Sequence, residues 1–549
     1  MRLWFSRLAG LILLTLGCLM ASAVQSQELR IVEPESRADL RTILVHGDEL
    51  SAARQWRELT EHYKHGVEAF PNSDVVRRRF YSAQAREDVE RRYADASFRK
   101  VVATLSDREA IDLYSELLAK VQSHYVDEPQ WTSLVNRGMV FALAALQAER
   151  LQQLAPGATA ESFSDLQSEL SRLMQTRPTN DVREAREAAW FAGQLAKQRT
   201  GLPAPALMLE FVAGATAALD TYSSFLTPDQ LDEVFSQIEG NFVGLGVELE
   251  TLADSLKIVN VIAGGPASLA GVKVNDRIVE IDGQTVVEMG GDLAANALRG
   301  EEGSTVSIVV VREQQVTQRL SIVRRVVDVP SVVDAKILDA RDGVAYFKLT
   351  SFQKSTSRDV DTALWSLHKQ GMRSLIVDLR GNPGGLLDAS VQVADKFLTS
   401  GAIVSTRGRT EKFEFRAHDE GTWGIPLVVL IDRDSASASE ILAGALRDHQ
   451  RAQVVGTRSY GKGSVQGIFP LSIGKAGVRL TTAKFYSPSG RAISHNGVLP
   501  TTQVHTTAKS AGLAPADDAA LLSAVQAARN QLAQRRARPV TQSVGLNAR

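Results

Sequence analysis

Two short segments carry residue types that could do hydrolytic chemistry. Ser435-Ala436-Ser437-Ala438-Ser439 leads directly into an amphipathic run, and about two dozen residues later Lys462 stands between Gly461 and Gly463, with Gln466 four positions on. Small residues where a strand turns into a helix let a hydroxyl project into open space beside the positive end of the helix dipole. A lysine flanked by glycines can approach that hydroxyl closely. Buried and uncharged, it can act as general base, because desolvation lowers an amine's pKa. The pattern points to a Ser-Lys hydrolase. Residue types alone leave Ser435, Ser437 and Ser439 open as the nucleophile.

A third block, Ser374-Leu-Ile-Val-Asp-Leu-Arg-Gly-Asn-Pro-Gly-Gly-Leu386, reads as a buried strand breaking into a glycine turn. Together these segments resemble the catalytic core of the C-terminal processing peptidases, or tail-specific proteases, serine peptidases with a Ser-Lys dyad. The family's S-A-S-A-S-E-I block stands at Ser435 to Ile441, and its Y/F-G-K-G-x-V-Q block at Tyr460 to Gln466. The resemblance implies Ser437 as nucleophile, Lys462 as base and Gln466 as the residue that orients the lysine by a side-chain hydrogen bond. It also implies an oxyanion hole made by the amides of Gly384 and Ala438, each such donor being worth about 3 kcal/mol of barrier. Phe485 to Ile493 and Gly497 to Pro500 resemble the family's closing strand and turn, so the likeness covers most of 225–505.

Rival motifs fail on inspection. Gly456 to Lys462 fits G-x-x-x-x-G-K, but Gly463 stands where a phosphate-binding loop needs Ser or Thr. Ser351 to Lys354 and Ser472 to Lys475 fit S-x-x-K, yet no K-T-G follows Ser494-His-Asn496. There is no H-E-x-x-H and only one cysteine, so no metal site and no cofactor is expected. His418, His449 and His495 read as surface residues rather than triad members.

Upstream, Gly240 to Glu250 resembles the carboxylate-binding loop of a PDZ domain, with Gly244, Leu245, Gly246 and Val247 as the peptide-binding centre, and Ile258 to Val272 and Asp276 to Gly283 are similar to later PDZ segments. Successive N–H groups in a glycine turn make a nest for a carboxylate, and a free strand edge accepts an extended peptide. A helix near Asp292 to Leu298 would form the other wall, and the ligand would be an apolar chain end.

The elements that must position these residues follow from patterning. Met1 to Arg7 is basic, Leu8 to Ala23 is apolar, and Ala21-Ser-Ala23 has the form of a signal-peptidase site, so export to a periplasm is expected. Cys18 falls inside that segment, in a poor lipobox; a lipoprotein or an uncleaved anchor is the lesser alternative. Residues 28–225 read as helical, with a capping box at Ser106 to Glu109 and about 70 residues, roughly 145–210, beyond the family pattern. Trp56 to Tyr63 with Ala69-Phe-Pro71 resembles one tetratricopeptide unit. Pro515 to Arg535 reads as a helix, and Arg535, Arg536 and Arg538 as its solvated end. With 62 basic and 63 acidic residues, no charge excess argues for nucleic acid.

The reading is a multidomain α+β protein: signal peptide 1–23, helical region 28–225, PDZ domain 231–327, crotonase- or ClpP-like α/β peptidase core 330–505, and C-terminal helix and tail 506–549. Its function would be a serine endopeptidase that recognises protein substrates by an apolar C-terminus in the cell envelope. An adaptor protein or self-association through the helical regions is the further partnership considered. The alternative is a periplasmic peptide-binding scaffold whose dyad rests.

Overall fold

The computed structural model describes residues 40–176, 179–312, 316–419, 421–504 and 517–537. The basic-apolar start, with Cys18 and Ala21 to Ala23, lies outside them, as do Pro515 and Arg538. Among the described residues, 40–83 and those from Gln84 to Ala537 form two compact units. In the first, helices Leu40–Ala52 and Trp56–Ala69 enclose Ile43, Leu59 and Tyr63. Gly47 allows the closest approach: a Cβ there would lie 2.1 Å from Tyr63 Oη. The tetratricopeptide-like residues therefore sit in a helical hairpin.

The second unit begins with a helical bundle. Helix Asp107–His124 starts where the expected capping box stands: Ser106 Oγ accepts from Glu109 N, and Glu109 Oε2 accepts from Ser106 N at 2.9 Å. Residues 145–210, beyond the family pattern, supply helices Ala160–Thr176 and Val182–Thr200 and the start of Ala204–Ala217. The last of these is buried from Ala204 to Thr216 and crosses helix Trp131–Ala145 at backbone contact, since a Cβ on Gly214 would lie 2.5 Å from Gly138 Cα. Its lone acid, Glu210, is fully buried and paired with Arg92. The bundle core continues into Leu471, Ala476, Val478 and Leu480, so the helices are seated on the hairpin Ser464–Pro470/Gly477–Tyr486. That contact brings the turn after the bundle close to Lys462.

The PDZ-like domain is an antiparallel sheet in the order Val247–Thr251, Leu256–Val261, Arg277–Ile281, Thr305–Arg312, Val316–Val323. Its core is alternate aliphatic residues, among them Leu256, Ile258, Ile278, Val306, Ile308 and Val310. Strand Asn241–Gly244 pairs antiparallel with Arg325–Asp328 and joins the two ends of the domain.

The α/β core is a six-stranded sheet whose strands run Val332–Asp339, Val344–Leu349, Ser374–Asp378, Leu427–Ile431, Gln453–Gly456, Thr502–Gln503, parallel from the second onward. Ser374–Asp378 and Leu427–Ile431 are buried throughout, as continuous apolar runs in a parallel sheet covered on both faces should be. Phe347, Leu375, Val377, Val429 and Ile431 pack under helices Thr356–Lys369, Leu387–Asp395 and Ala438–Asp448. The intervening Tyr346, Ile376, Val428 and Leu430 face the opposite way, against the C-terminal helix Ala519–Ala537. The basic end of that helix is not merely solvated as expected: packing on the sheet sets Arg535 Nη2 on Gly424 O at 2.6 Å and Arg536 3.6 Å from Asp342.

Candidate active site

Strand Leu427–Ile431 ends in a tight loop that turns into helix Ala438–Asp448. Asp432 Oδ1 organises the loop by accepting from the amides of Asp434 and Ser435 and, across the loop, from Gly381 N, each at 3.0 Å. At the junction Ser437 has φ 55° and ψ −114°, a conformation that costs a non-glycine residue about 1–3 kcal/mol and is kept only where its surroundings enforce it. The three serines of the run differ sharply. Ser435 is buried, its hydroxyl donating to Leu379 O at 2.9 Å; Ser439 is buried, its hydroxyl donating to Asn382 O at 3.0 Å. Ser437 is partly exposed.

Glu440, which residue reading passed over, braces this turn. Its carboxylate is fully buried in the first turn of the helix. Oε2 accepts from Ser437 N at 2.8 Å and from Lys462 N at 2.9 Å; Oε1 accepts from Gly461 N at 2.7 Å and from Ser459 Oγ at 2.6 Å. One oxygen thus ties the backbone of the serine to that of the lysine, 25 positions apart in the chain. Burial pushes the Glu440 carboxyl up, and its four hydrogen bonds oppose that rise.

Lys462 leads into strand Ser464–Pro470. Burial lowers its ammonium from the ordinary lysine range and the charge of Arg479 adds to this, while Glu440 and Asp220 work the other way. Its Nζ lies 5.1 Å from the centroid of the Tyr222 ring. Among the described residues no hydrogen bond joins it to Ser437 Oγ. Gln466 Nε2 donates to Ser464 Oγ at 2.8 Å, and among the described residues no hydrogen bond joins its side chain to the Lys462 amine, for which its Oε1 would be the acceptor.

The glycine turn after Ser374–Asp378 meets the serine from the other side. Gly384, at φ +104°, is so close that a Cβ would fall 2.7 Å from Ala436 O, 2.8 Å from Ser437 Cβ and 2.9 Å from Ala438 N. Ala438 opens the helix, where amides lack intrahelical acceptors. The Gly384 amide donates to Asn382 Oδ1 at 2.8 Å, and Asn382 Nδ2 to Leu349 O at 2.8 Å. Beneath the turn, Arg380 joins Asp378 at 2.6 Å and Asp518 at 2.8 Å, and Tyr346 Oη donates to Asp378 at 2.9 Å, all buried. Burial alone would lower the Arg380 guanidinium, but the two carboxylates outweigh it and raise it.

Gly244, Leu245, Gly246 and Val247 lie apart from this cluster, in the PDZ-like domain. Gly244 ends the strand paired with Arg325–Asp328; Leu245 is buried in the domain core, and its carbonyl accepts from Ala267 N at 2.8 Å. Gly246 takes φ +78°, and Val247 begins a strand that has a ladder partner on one side only among the described residues. Helix Gly291–Ala297 packs beside that edge, with Leu293 exposed. A strand edge flanked by a helix is the geometry that adds a peptide by strand pairing.

Residues 343–504 match the model of peptidase family S41, and residues 243–322 match that of the PDZ domain. Over 298 residues the chain is 37% identical to the carboxy-terminal-processing protease of Bartonella bacilliformis, covering 53% of this chain and 67% of that protein. It is also 37% identical over 291 residues to the carboxyl-terminal-processing protease of Synechocystis sp., covering 52% and 68%. A solved photosystem II D1 C-terminal processing protease aligns with 72% of this chain and 93% of its own, at 25% identity and a TM-score of 0.38.

Proposed function

The chain belongs to the carboxy-terminal-processing serine proteases of peptidase family S41, and on that footing we propose that it is a cell-envelope endopeptidase that takes proteins by an apolar C-terminus and cuts them with a Ser437–Lys462 dyad. The observation that carries this reading is the Glu440 carboxylate, one oxygen of which receives the amides of both dyad residues. Neutral Lys462 takes the proton of Ser437, whose oxygen attacks a peptide carbonyl. The oxyanion is held by the Ala438 amide and by that of Gly384, for which it competes with Asn382 Oδ1 as the stronger, charged acceptor. Protonated Lys462 gives its proton to the leaving amine, and water then hydrolyses the acyl-enzyme through the same pair. The edge at Val247 and the nest Gly244 to Gly246 would seize the substrate's carboxylate, and the N-terminal segment would direct export.

One observation favours a second reading, a peptide-binding scaffold with a resting dyad: no hydrogen bond joins Ser437 Oγ to Lys462 Nζ among the described residues. Digestion of an unstructured protein with an apolar C-terminus separates the two. Cleavage by the wild type alone, lost in Ser437→Ala and Lys462→Ala and weakened when the substrate's terminus is amidated, is the expected result. Binding without cleavage would favour the scaffold, and cleavage surviving in Ser437→Ala would reject the dyad.

A further inference from the structure

The turn Asp220 to Ser223 precedes the recognition domain in the chain, yet it delivers a ring to the lysine of the catalytic core. It is fixed from several sides. Asp220 Oδ1 accepts from the amides of Tyr222 and Ser223, both at 2.7 Å. Ser223 Oγ accepts from Thr481 N at 3.2 Å, and Tyr125 Oη donates to Leu219 O at 2.8 Å. Strand Ser224–Leu226 then pairs antiparallel with Gly477–Tyr486, setting Ser224 opposite Arg479. From this anchored turn the Tyr222 ring meets Lys462 Nζ 5.1 Å from its centroid, within the range in which a ring face attracts a cation.

We propose that Tyr222 is a positioning residue of the dyad, whose ring face holds the Lys462 amine beside the nucleophile turn and sets the pH at which that amine becomes a base. The inference rests on the Ser437–Lys462 reading. The charges facing Lys462 come from three elements: Arg479 on the Gly477–Tyr486 strand, Glu440 on the nucleophile helix, and Asp220 on the turn itself, with Tyr460 next to Tyr222. Arg479 disfavours the ammonium; Glu440 and Asp220 favour it, and the ring adds to their side. Burial raises the Tyr222 phenol, which favours its neutral form. The ring therefore holds the protonated lysine and yields it as the proton leaves.

The test is competitive labelling of Lys462 with acetic anhydride across a pH series, read by mass spectrometry. It reports the amine's titration whether or not the protein cleaves. Tyr222→Phe, which keeps the ring, should titrate with the wild type. Tyr222→Leu should titrate about half a pH unit lower, a shift equivalent to about 0.7 kcal/mol. The acid limb of kcat/KM should move down by the same amount while its plateau falls about tenfold from the looser amine. Coincident Leu and Phe titrations would overturn the proposal. If the Leu variant does not fold, Tyr222→Trp decides: a stronger π face should raise the midpoint by a few tenths, and an unmoved midpoint overturns the proposal. Lys462→Ala and Ser437→Ala, assayed for cleavage in parallel, judge the dyad separately.

Discussion

Replacing Glu440 with glutamine keeps the shape of the brace and removes its charge and one acceptor. The carboxylate receives three backbone amides and one hydroxyl. If the new amide oxygen stays where Oε2 was, it keeps Ser437 N and Lys462 N, but the NH2 then faces the N–H of Gly461. The opposite flip sets NH2 against two amides and is worse. One buried donor left unpaired costs about 1–3 kcal/mol, and the remaining bonds lose their charge assistance, about 1 kcal/mol more. A total of about 2–4 kcal/mol is expected, measured by urea unfolding in a Ser437→Ala background to prevent self-digestion. Catalysis should suffer as well, because Ser437 is held at φ 55° by its surroundings and a shift of about 1 Å at the nucleophile can cost 100-fold. The pH profile adds a signature that unfolding alone would not produce. Glu440 favours the Lys462 ammonium, so its neutral replacement lowers the lysine's pKa. The amine is then free at lower pH, and the acid limb of kcat/KM shifts down while the plateau drops. A Glu440→Gln enzyme within 0.5 kcal/mol of wild type, with unchanged rate and pH limb, would refute the bracing argument.

Removing Arg479 acts in the other direction. Arg479→Met deletes a like charge that holds the Lys462 pKa down, so the acid limb should move to higher pH and activity near pH 7 should fall, read from a kcat/KM–pH series. Ser435→Ala and Ser439→Ala each lose a buried hydroxyl bonded to a carbonyl, about 1 kcal/mol of stability, and should keep cleavage within a few-fold. Ser437→Ala should lose at least about a thousandfold in the same peptide-release assay. Gly384→Ala forces a Cβ to 2.7 Å from Ala436 O at a φ of +104°, and should cost about 2–5 kcal/mol in thermal or urea unfolding and about 100-fold in rate. Asp518→Ala removes both a bond to Leu521 N at the helix start and the second carboxylate of Arg380, about 2–4 kcal/mol by urea unfolding.

What could be read from residues was what local geometry demands. A glycine at 384 and small residues around 437 are required by backbone approach and a strained turn, and such requirements leave a mark on residue type. The segment Gly240 to Glu250 was legible through its likeness to a PDZ loop, and strands Asn241–Gly244 and Val247–Thr251 lie within it. Burial was not legible, and burial distinguishes the serines: Ser435 and Ser439 spend their hydroxyls on Leu379 and Asn382 carbonyls more than 50 positions away. Glu440 stood in plain view inside the serine block, yet an acid in a first helical turn reads as dipole complement, and its partners at 459, 461 and 462 are brought to it only by the fold. The same limit hid the bundle formed from 145–210. Helix Ala204–Ala217 is buried all round, so it has no apolar stripe to say which neighbour it faces, and its crossing is decided by Gly138 and Gly214 meeting in space. Tyr222 and Asp518 belong to this class too. Each comes from outside the 343–504 match and reaches into it: the Tyr222 ring beside Lys462 and Tyr460, and the Asp518 carboxylate on the arginine beneath the Gly384 turn. The two residues proposed as the dyad thus lie in the matched segment, while the placement of the lysine and of the glycine turn depends on the bundle before it and the helix after it. A core trimmed to 343–504 should therefore keep Ser437 and Lys462 and still fail to cleave.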